Sequence, residues 1–350
     1  MNLISTPRNT SKKLRLKRLK IITVITPIHA GFYRFVKAIS KFLDDKYNTY
    51  YNPDSQIVVT AGVSEGIRDV FSTILNPGDE VIVPTPIFSL YVPSILAMDA
   101  KPVYVNLSKS NFLLTPDKLE STLEAHPKTK AIVLNYPNNP VGNTYNRNQL
   151  EALAKVIKKH QIFCVSDEIY SELTYVHHHT SMGELLPDQA IVMNGASKTF
   201  AMTGWRIGFV CGAPKIITKI NSVHTANITS ATTCAQYAAT EAFKNGYDDG
   251  LKMRDVYKKR RDLLRDGLAK AGFTSPEPSG AFYIFAKIPS KYTQDSFKFG
   301  YQLAKEAHVG VIPGAVFGPG GDGYLRISYA ASTDKLKAAV RRIQKFANEH

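Results

Sequence analysis

Cysteine is scarce in this chain of 350 residues: Cys164, Cys211 and Cys234 stand far apart. Such spacing excludes a disulfide framework and the close-set Cys or Cys/His ligands of a structural zinc site. Two of the three lie in apolar, strand-like runs, and all three read as buried thiols of a reducing compartment, which points to the cytoplasm. Long apolar runs are missing too. No stretch approaches the roughly 18 uninterrupted apolar residues of a membrane span, so no membrane partner is expected. Internal repeats, low-complexity tracts and long linkers are also absent. The length instead suits one large domain plus a smaller one.

Acidic residues are lacking at one end. Residues 1–43 hold ten Lys or Arg and no Asp or Glu, whereas the remaining 307 residues carry 34 basic and 29 acidic side chains. The net charge of +15 is therefore concentrated in a run with Arg8, Lys12, Lys13, Arg15, Lys17, Arg18 and Lys20, and the body is only mildly basic. A run of this kind reads as a nucleic-acid arm, a targeting peptide, or sequence with no evolved role. The last reading is preferred, and no nucleic-acid partner is expected.

From residue 46 onward, short β-rich runs alternate with helical periodicities. The strand candidates are 57–61, 80–83, 103–106, 131–135, 162–166, 190–194 and 207–211, and Arg147–His160 is the clearest helix. Apolar strands alternating with helices argue for an α/β fold with a largely parallel sheet covered on both faces. After about residue 249 the texture changes to a charged helix (251–271), a strand (281–285), a helix (296–307), a strand (324–329) and a final helix (333–348). This reads as a smaller α+β domain.

In open α/β sheets, ligands gather beyond the carboxyl ends of the strands, and the chemistry-bearing motifs of this chain follow predicted strands. In Gly195-Ala-Ser-Lys-Thr-Phe-Ala-Met-Thr-Gly-Trp-Arg-Ile-Gly208, an apolar strand runs into small residues, then Lys198, then Arg206. That arrangement suits a lysine that forms a Schiff base with an aldehyde cofactor and an arginine that grips its phosphate. Asp167 and Tyr170 follow the strand 162–166, where a helix-capping aspartate is the plain alternative. Asn135-Tyr-Pro-Asn-Asn-Pro-Val-Gly142 follows another strand, although any tight turn looks similar. Thr60-Ala-Gly-Val-Ser-Glu-Gly66 opens a helix with the free amides of a phosphate cradle. His177-His-His179 reads as a solvated loop, because three adjacent side chains do not easily converge on one ion. No metal is expected.

The Lys198 stretch resembles the lysine signature of the class I and II aminotransferases, which use pyridoxal 5'-phosphate (PLP). Every position that the signature restricts is met. The resemblance, over about residues 46 to 348, implies a fold-type I transferase: a seven-stranded, mostly parallel sheet in a large PLP-binding domain (46–248) and a small carboxy-terminal domain (249–350). It implies that Lys198, Asp167 and Tyr170 are catalytic, with Asp167 facing the pyridine nitrogen. Asn139 and Tyr170 would reach the cofactor's phenolic oxygen, and Phe88 would stack on the ring. The amides of Val63 and Ser64, the Ser64 hydroxyl and Arg206 would hold the phosphate. Many relatives have a serine where Gly195 stands, and Ser197 is the candidate replacement. Arg326, with Asn139, would receive the substrate carboxylate.

The activity so implied is transfer of an amino group from an L-amino acid of aromatic, aspartate or N-acetyl-LL-diaminopimelate type to a 2-oxo acid, by a ping-pong route in a homodimer. A carbon–sulfur β-lyase on the same fold and a non-catalytic remnant are the competing readings. The remnant reading rests on the front end. The family's Gly-x-Pro-x-Phe and His-x-Tyr-Thr motifs are missing, and likeness resumes near Lys37. Codons for Ile22 to Thr26 can be chosen so that a neighbouring frame spells Asn-His-Ser-His-Tyr-Thr. Residues 1–35 are therefore expected to be out of frame or to come from a truncated gene, leaving an aberrant segment with a remnant helix over 1–45.

Overall fold

The computed structural model describes residues 31–350; the basic run and the segment expected to be out of frame lie, up to residue 30, outside them. Helix α1 (Tyr33–Tyr47) comes first. Its buried Phe35, Val36, Ile39, Phe42 and Leu43 fall on one face at the spacing of an amphipathic helix. Phe35 is fully buried, so the fitted helix begins a few residues ahead of Lys37.

Seven strands form the large sheet: β1 (Ile57–Thr60), β2 (Glu80–Thr85), β3 (Lys101–Asn106), β4 (Thr129–Asn135), β5 (Phe163–Asp167), β6 (Ala190–Gly195) and β7 (Gly208–Cys211). Their order is β1-β7-β6-β5-β4-β2-β3. β7 runs antiparallel to both of its neighbours, and the other pairs are parallel. All seven expected strands are present, with ends displaced by one or two residues. Strand residues such as Val58, Ile132, Val165 and Ile191 are wholly buried, as a sheet covered on both faces requires.

The covering helices of this part are α2 (Val63–Ile74), α3 (Tyr91–Leu96), α4 (Pro116–Ala125), α5 (Arg147–His160), α6 (Pro214–Ile228) and α7 (Thr233–Asn245). α5 has the bounds that its sequence predicts, because Asn146 and Gln149 make a reciprocal capping box at its start. α1 docks on α7 through Phe35 and Phe42, whose ring centroids lie 5.6 and 4.9 Å from that of Phe243. Truncating a buried phenylalanine of this kind costs about 3–5 kcal/mol, so α1 is an integral part of the large-sheet core.

The remaining elements are α8 (Asp249–Lys270), β8 (Tyr283–Lys287), α9 (Ser296–Glu306), β9 (Ile312–Pro313), β10 (Tyr324–Ser328) and α10 (Thr333–Glu349). The three strands form an antiparallel sheet, β8-β10-β9. Leu264, Leu268, Phe299, Leu303, Ile343 and Phe346 close a separate core over it. β9, only two residues long, was not expected.

Two expectations are corrected. The histidine run is not wholly solvated: His179 is buried, and its Nε2 lies 2.9 Å from Oε2 of the buried Glu168. Glu168 also accepts from the Ser166 and Ser181 hydroxyls and the Met182 amide, and these bonds satisfy a carboxylate inside the core. Cys164 and Cys211 are buried thiols, but Cys234 is exposed. Among the described residues, no helix is long and apolar enough to cross a membrane.

Candidate active site

The parallel strands end on one side of the sheet, where their last residues face a common space. Asn135 and Asp167, the last residues of β4 and β5, are in register with Met193 near the end of β6. Beyond them lies a cavity of about 290 Å³. Its wall includes all ten residues singled out in the sequence: Val63, Ser64, Phe88, Asn139, Asp167, Tyr170, Ser197, Lys198, Arg206 and Arg326. Nine come from the large-sheet part and Arg326 from β10. Residues more than 260 positions apart thus meet in one pocket.

Lys198 sits in a single helical turn, Ala196–Thr199, directly after β6. Burial lowers its pKa; Asp167 opposes that shift, while the Arg206 and Arg326 charges add to it. A lysine so placed holds more of its amine in the neutral, nucleophilic form. Asp167 closes β5 instead of following it, and burial pushes its carboxyl up to about 6. The Tyr91 hydroxyl donates to Oδ2 and the Ile169 amide to Oδ1, and both bonds favour the charged form. These two contacts aim the carboxylate.

The segment expected to cradle a phosphate begins at Gly62, which has φ +81° and is the residue before α2. A Cβ there would lie 2.6 Å from Nη2 of Arg206, so glycine alone lets that guanidinium lie against the helix start. The amides of Val63 and Ser64 donate to no protein acceptor among the described residues, as expected of the first amides of a helix. Arg206 is itself held by a bond of 3.0 Å from Nη1 to the Thr203 carbonyl. The departure at Gly195 has a steric reason. A Cβ there would meet Gly208 Cα and the Ile207 carbonyl at 2.8 Å, and Ser197 in the cavity wall is the available hydroxyl.

At the other end of the cavity, Arg326 Nη1 donates to Asn139 Oδ1 over 2.8 Å. Its Nε is buried without a hydrogen-bond partner among the described residues, and its guanidinium carbon lies 4.6 Å from the Tyr283 ring centroid and 4.9 Å from that of Phe317. Asn139 accepts this bond through its oxygen, which leaves its amide hydrogens facing elsewhere. Tyr170 and Tyr283 share a hydroxyl–hydroxyl bond of 2.8 Å. With Lys198, Arg206 and Arg326 set against Asp167, the cavity carries excess positive charge and suits anionic groups.

These features fit PLP. An unengaged pair of helix-start amides with an arginine matches a phosphate, a lysine amine faces a buried carboxylate, and an orphaned guanidinium nitrogen awaits a carboxylate. Sequence reasoning did not assign Tyr91, Asn135, Thr203 or Tyr283, which also line the cavity. Tyr91 lies three residues after Phe88, and Tyr283 falls inside the strand expected over 281–285. Their chain context alone gives no reason to separate them from core aromatics.

Behind the cradle, His224 Nδ1 lies 2.8 Å from Glu65 Oε1, and Asn227 donates to Asp69 Oδ1 over 2.8 Å. Glu65, Asp69 and His224 bring donor atoms within 4.8 Å of one another. Glu65 also accepts from the Ala61 amide. The group ties the cradle loop to α6.

Comparison with known proteins agrees with this geometry. The family model for aminotransferase class I and II matches residues 12–343, and its match begins well ahead of the resemblance expected from the motifs. A probable N-acetyl-LL-diaminopimelate aminotransferase of Bacillus subtilis (strain 168) is 44% identical over 326 residues, spanning 93% of this chain and 82% of that protein. An aspartate aminotransferase of the same organism is 37% identical over 338 residues, 94% of this chain and 84% of that one. Among solved structures, the aromatic aminotransferase from Pyrococcus horikoshii OT3 superposes with a TM-score of 0.94 at 33% identity, covering 99% of this chain and 93% of the other. The aspartate aminotransferase from Thermus thermophilus with maleate gives a TM-score of 0.91 at 34% identity, covering 98% and 88%. The chain belongs to the class I and II aminotransferases, a PLP-dependent family, and is an enzyme of amino-group transfer with the fold-type I architecture.

Proposed function

We propose that this chain binds PLP in the 290 Å³ cavity and moves an amino group from an L-amino acid of aromatic, aspartate or N-acetyl-LL-diaminopimelate type to a 2-oxo acid such as 2-oxoglutarate. The observation that carries this reading is a half-buried lysine of lowered pKa beside a buried carboxylate, between a helix-start cradle and an orphaned arginine. Residues 46–248 would form the PLP-binding domain and residues 249–350 the small domain. The free buried thiols support a cytoplasmic setting. The family's habit of building sites at a subunit interface supports a homodimer.

When bound, PLP supplies an electron-withdrawing ring that stabilises negative charge at the substrate's α-carbon. The chain's residues supply the rest. Val63, Ser64 and Arg206 anchor the phosphate through helix-start amides and one guanidinium. Asp167, aimed by Tyr91, keeps a proton on the ring nitrogen. Phe88 covers the ring face. Arg326 binds the substrate carboxylate in a paired geometry, and Asn139 and Tyr170 donate to the phenolic oxygen. The Lys198 amine would take the α-proton and deliver it to the cofactor carbon next to the ring, acting as general base and then as general acid.

Purified protein supplied with PLP should turn yellow, bleach with glutamate or an aromatic amino acid, and recover with 2-oxoglutarate. Lys198→Ala should bind PLP without the lysine-dependent band and show no turnover. A wild type that stays colourless, or yellow whatever is added, would sink the proposal. Product analysis separates the lyase reading: glutamate marks transfer, whereas pyruvate and a thiol from cystathionine mark elimination.

A further inference from the structure

Arg326 is linked to the part of the cavity that would hold the phenolic oxygen by two routes. One is its direct bond to Asn139. The other runs through Tyr283, a residue to which neither the sequence reading nor the proposed chemistry gives a role. The Tyr283 ring lies against the Arg326 guanidinium at 4.6 Å, and its hydroxyl meets that of Tyr170 at 2.8 Å. Tyr283 is 7% exposed and Tyr170 3%, so water competes little for this bond. Its backbone is fixed as well: Gly142 packs against the Tyr283 carbonyl, and the Gly280 amide donates to the Gly142 carbonyl.

A hydroxyl pair can point either way, and the surroundings decide the direction. The Arg326 guanidinium lies 4.6 Å from the Tyr283 ring centroid, whereas the nearest cation to the Tyr170 ring, Lys198 Nζ, is 5.7 Å away and has a lowered pKa; the nearer, always charged group makes the Tyr283 hydroxyl the more acidic one. The more acidic hydroxyl is the better donor. With Tyr283 donating, the Tyr170 oxygen accepts, and the Tyr170 proton is left to point into the cavity. Hydrogen bonds in such a chain polarise one another, so accepting one bond makes Tyr170 a stronger donor in the next.

We infer that Tyr283 is a positioning residue: its hydroxyl orients and strengthens the Tyr170 donor, and its ring seats Arg326, so that a carboxylate docking on Arg326 is felt at the phenolic oxygen of the cofactor. A docked carboxylate offsets the Arg326 charge and makes Tyr283 less acidic. The chain then weakens and Tyr170 donates less strongly. The ionisable groups around this relay are Tyr170, Asp167, Lys198, Arg326 and, from α8, Tyr257. The inference rests on the proposed binding of PLP.

The experiment is a pH titration of the visible band of the PLP-loaded protein, with and without acetate, the smallest carboxylate that can occupy Arg326 whatever the rest of the pocket prefers. Wild type is compared with Tyr283→Phe, which keeps the ring, and Tyr283→Leu, which removes it. In Tyr283→Phe the midpoint should rise by about 0.5 pH unit, and the further rise produced by acetate should shrink to about half. Tyr283→Leu should in addition bind acetate roughly threefold to thirtyfold more weakly, the worth of a cation–π seat. If Tyr283→Leu fails to fold, the phenylalanine variant decides alone. A Tyr283→Phe protein matching wild type in both midpoint and acetate response overturns the inference. A wild type that takes up no PLP overturns the functional reading instead.

Discussion

The Tyr91 hydroxyl donates to Oδ2 of Asp167 over 2.5 Å, across 76 positions of the chain. Tyr91 is fully buried at the start of α3, and Asp167 ends β5. This bond is the largest of the influences that hold the Asp167 pKa down against burial. Tyr91→Phe should therefore raise that pKa further and leave the carboxylate less firmly aimed. A charge-assisted bond of this kind is worth about 1.5–3 kcal/mol, so kcat should fall roughly tenfold to a hundredfold. Steady-state kinetics on a folded, PLP-saturated variant checks this. An unchanged kcat would show that Asp167 is aimed by its own strand.

Arg326 presents a buried, unpartnered Nε and holds Asn139 with Nη1. Arg326→Lys keeps the charge and loses the planar pair of donors. KM for the amino donor should rise on the order of tenfold or more, with a smaller change in kcat, as expected when binding is lost from ground and transition states alike. Equal KM values in variant and wild type would place the substrate carboxylate elsewhere.

Gly62→Ala tests the cradle. At φ +81°, a side chain is strained by about 1–3 kcal/mol, and the added methyl would displace Arg206 from 2.6 Å. The PLP dissociation constant should rise at least roughly tenfold, the equivalent of about 1.4 kcal/mol. Equilibrium dialysis or band titration reads it directly. Tight PLP binding by the variant would remove Arg206 from the phosphate site.

Asp69 gives a pH effect unconnected with the reaction. Burial, with Glu65 nearby, pushes its pKa up to about 6, while Asn227 and His224 act in the other direction. A carboxyl with a raised folded-state pKa binds its proton more tightly when folded. Its contribution to stability is therefore best below the unfolded value, near 3.8, and is lost as pH rises through about 6. Asp69→Asn keeps an acceptor for Asn227 and carries no charge. Relative to wild type, the variant should gain stability at pH 7 to 8, and the gain should vanish near pH 4. Urea unfolding at both pH values checks the sign; a difference that does not change with pH would mean that Asp69 has an ordinary pKa.

How far the sequence could be read follows from the range over which each feature is encoded. α5 carries its own capping box and amphipathic face within fourteen residues, so its ends were legible. β9 spans two residues and offers no period to detect. Phe88 and Lys198 were recognisable because each follows a strand and sits among distinctive neighbours. Tyr91 lies three residues after Phe88 and Tyr283 begins β8, yet what sets them apart is a partner 76 or 113 positions away. His179 reads as loop until Glu168 is seen to be buried beside it.

The sequence by itself determined the alternation of strands and helices, the switch to a second sheet, and ten of the residues that line the cavity, because their motifs are local to the chain. Only the tertiary structure decided the order β1-β7-β6-β5-β4-β2-β3 with its reversed β7. It alone brought Arg326 against Asn139 and set the hydroxyl chain from Tyr283 to Tyr170. Those relations depend on packing between distant segments, where burial strengthens each hydrogen bond and shifts each pKa. No local period carries that information.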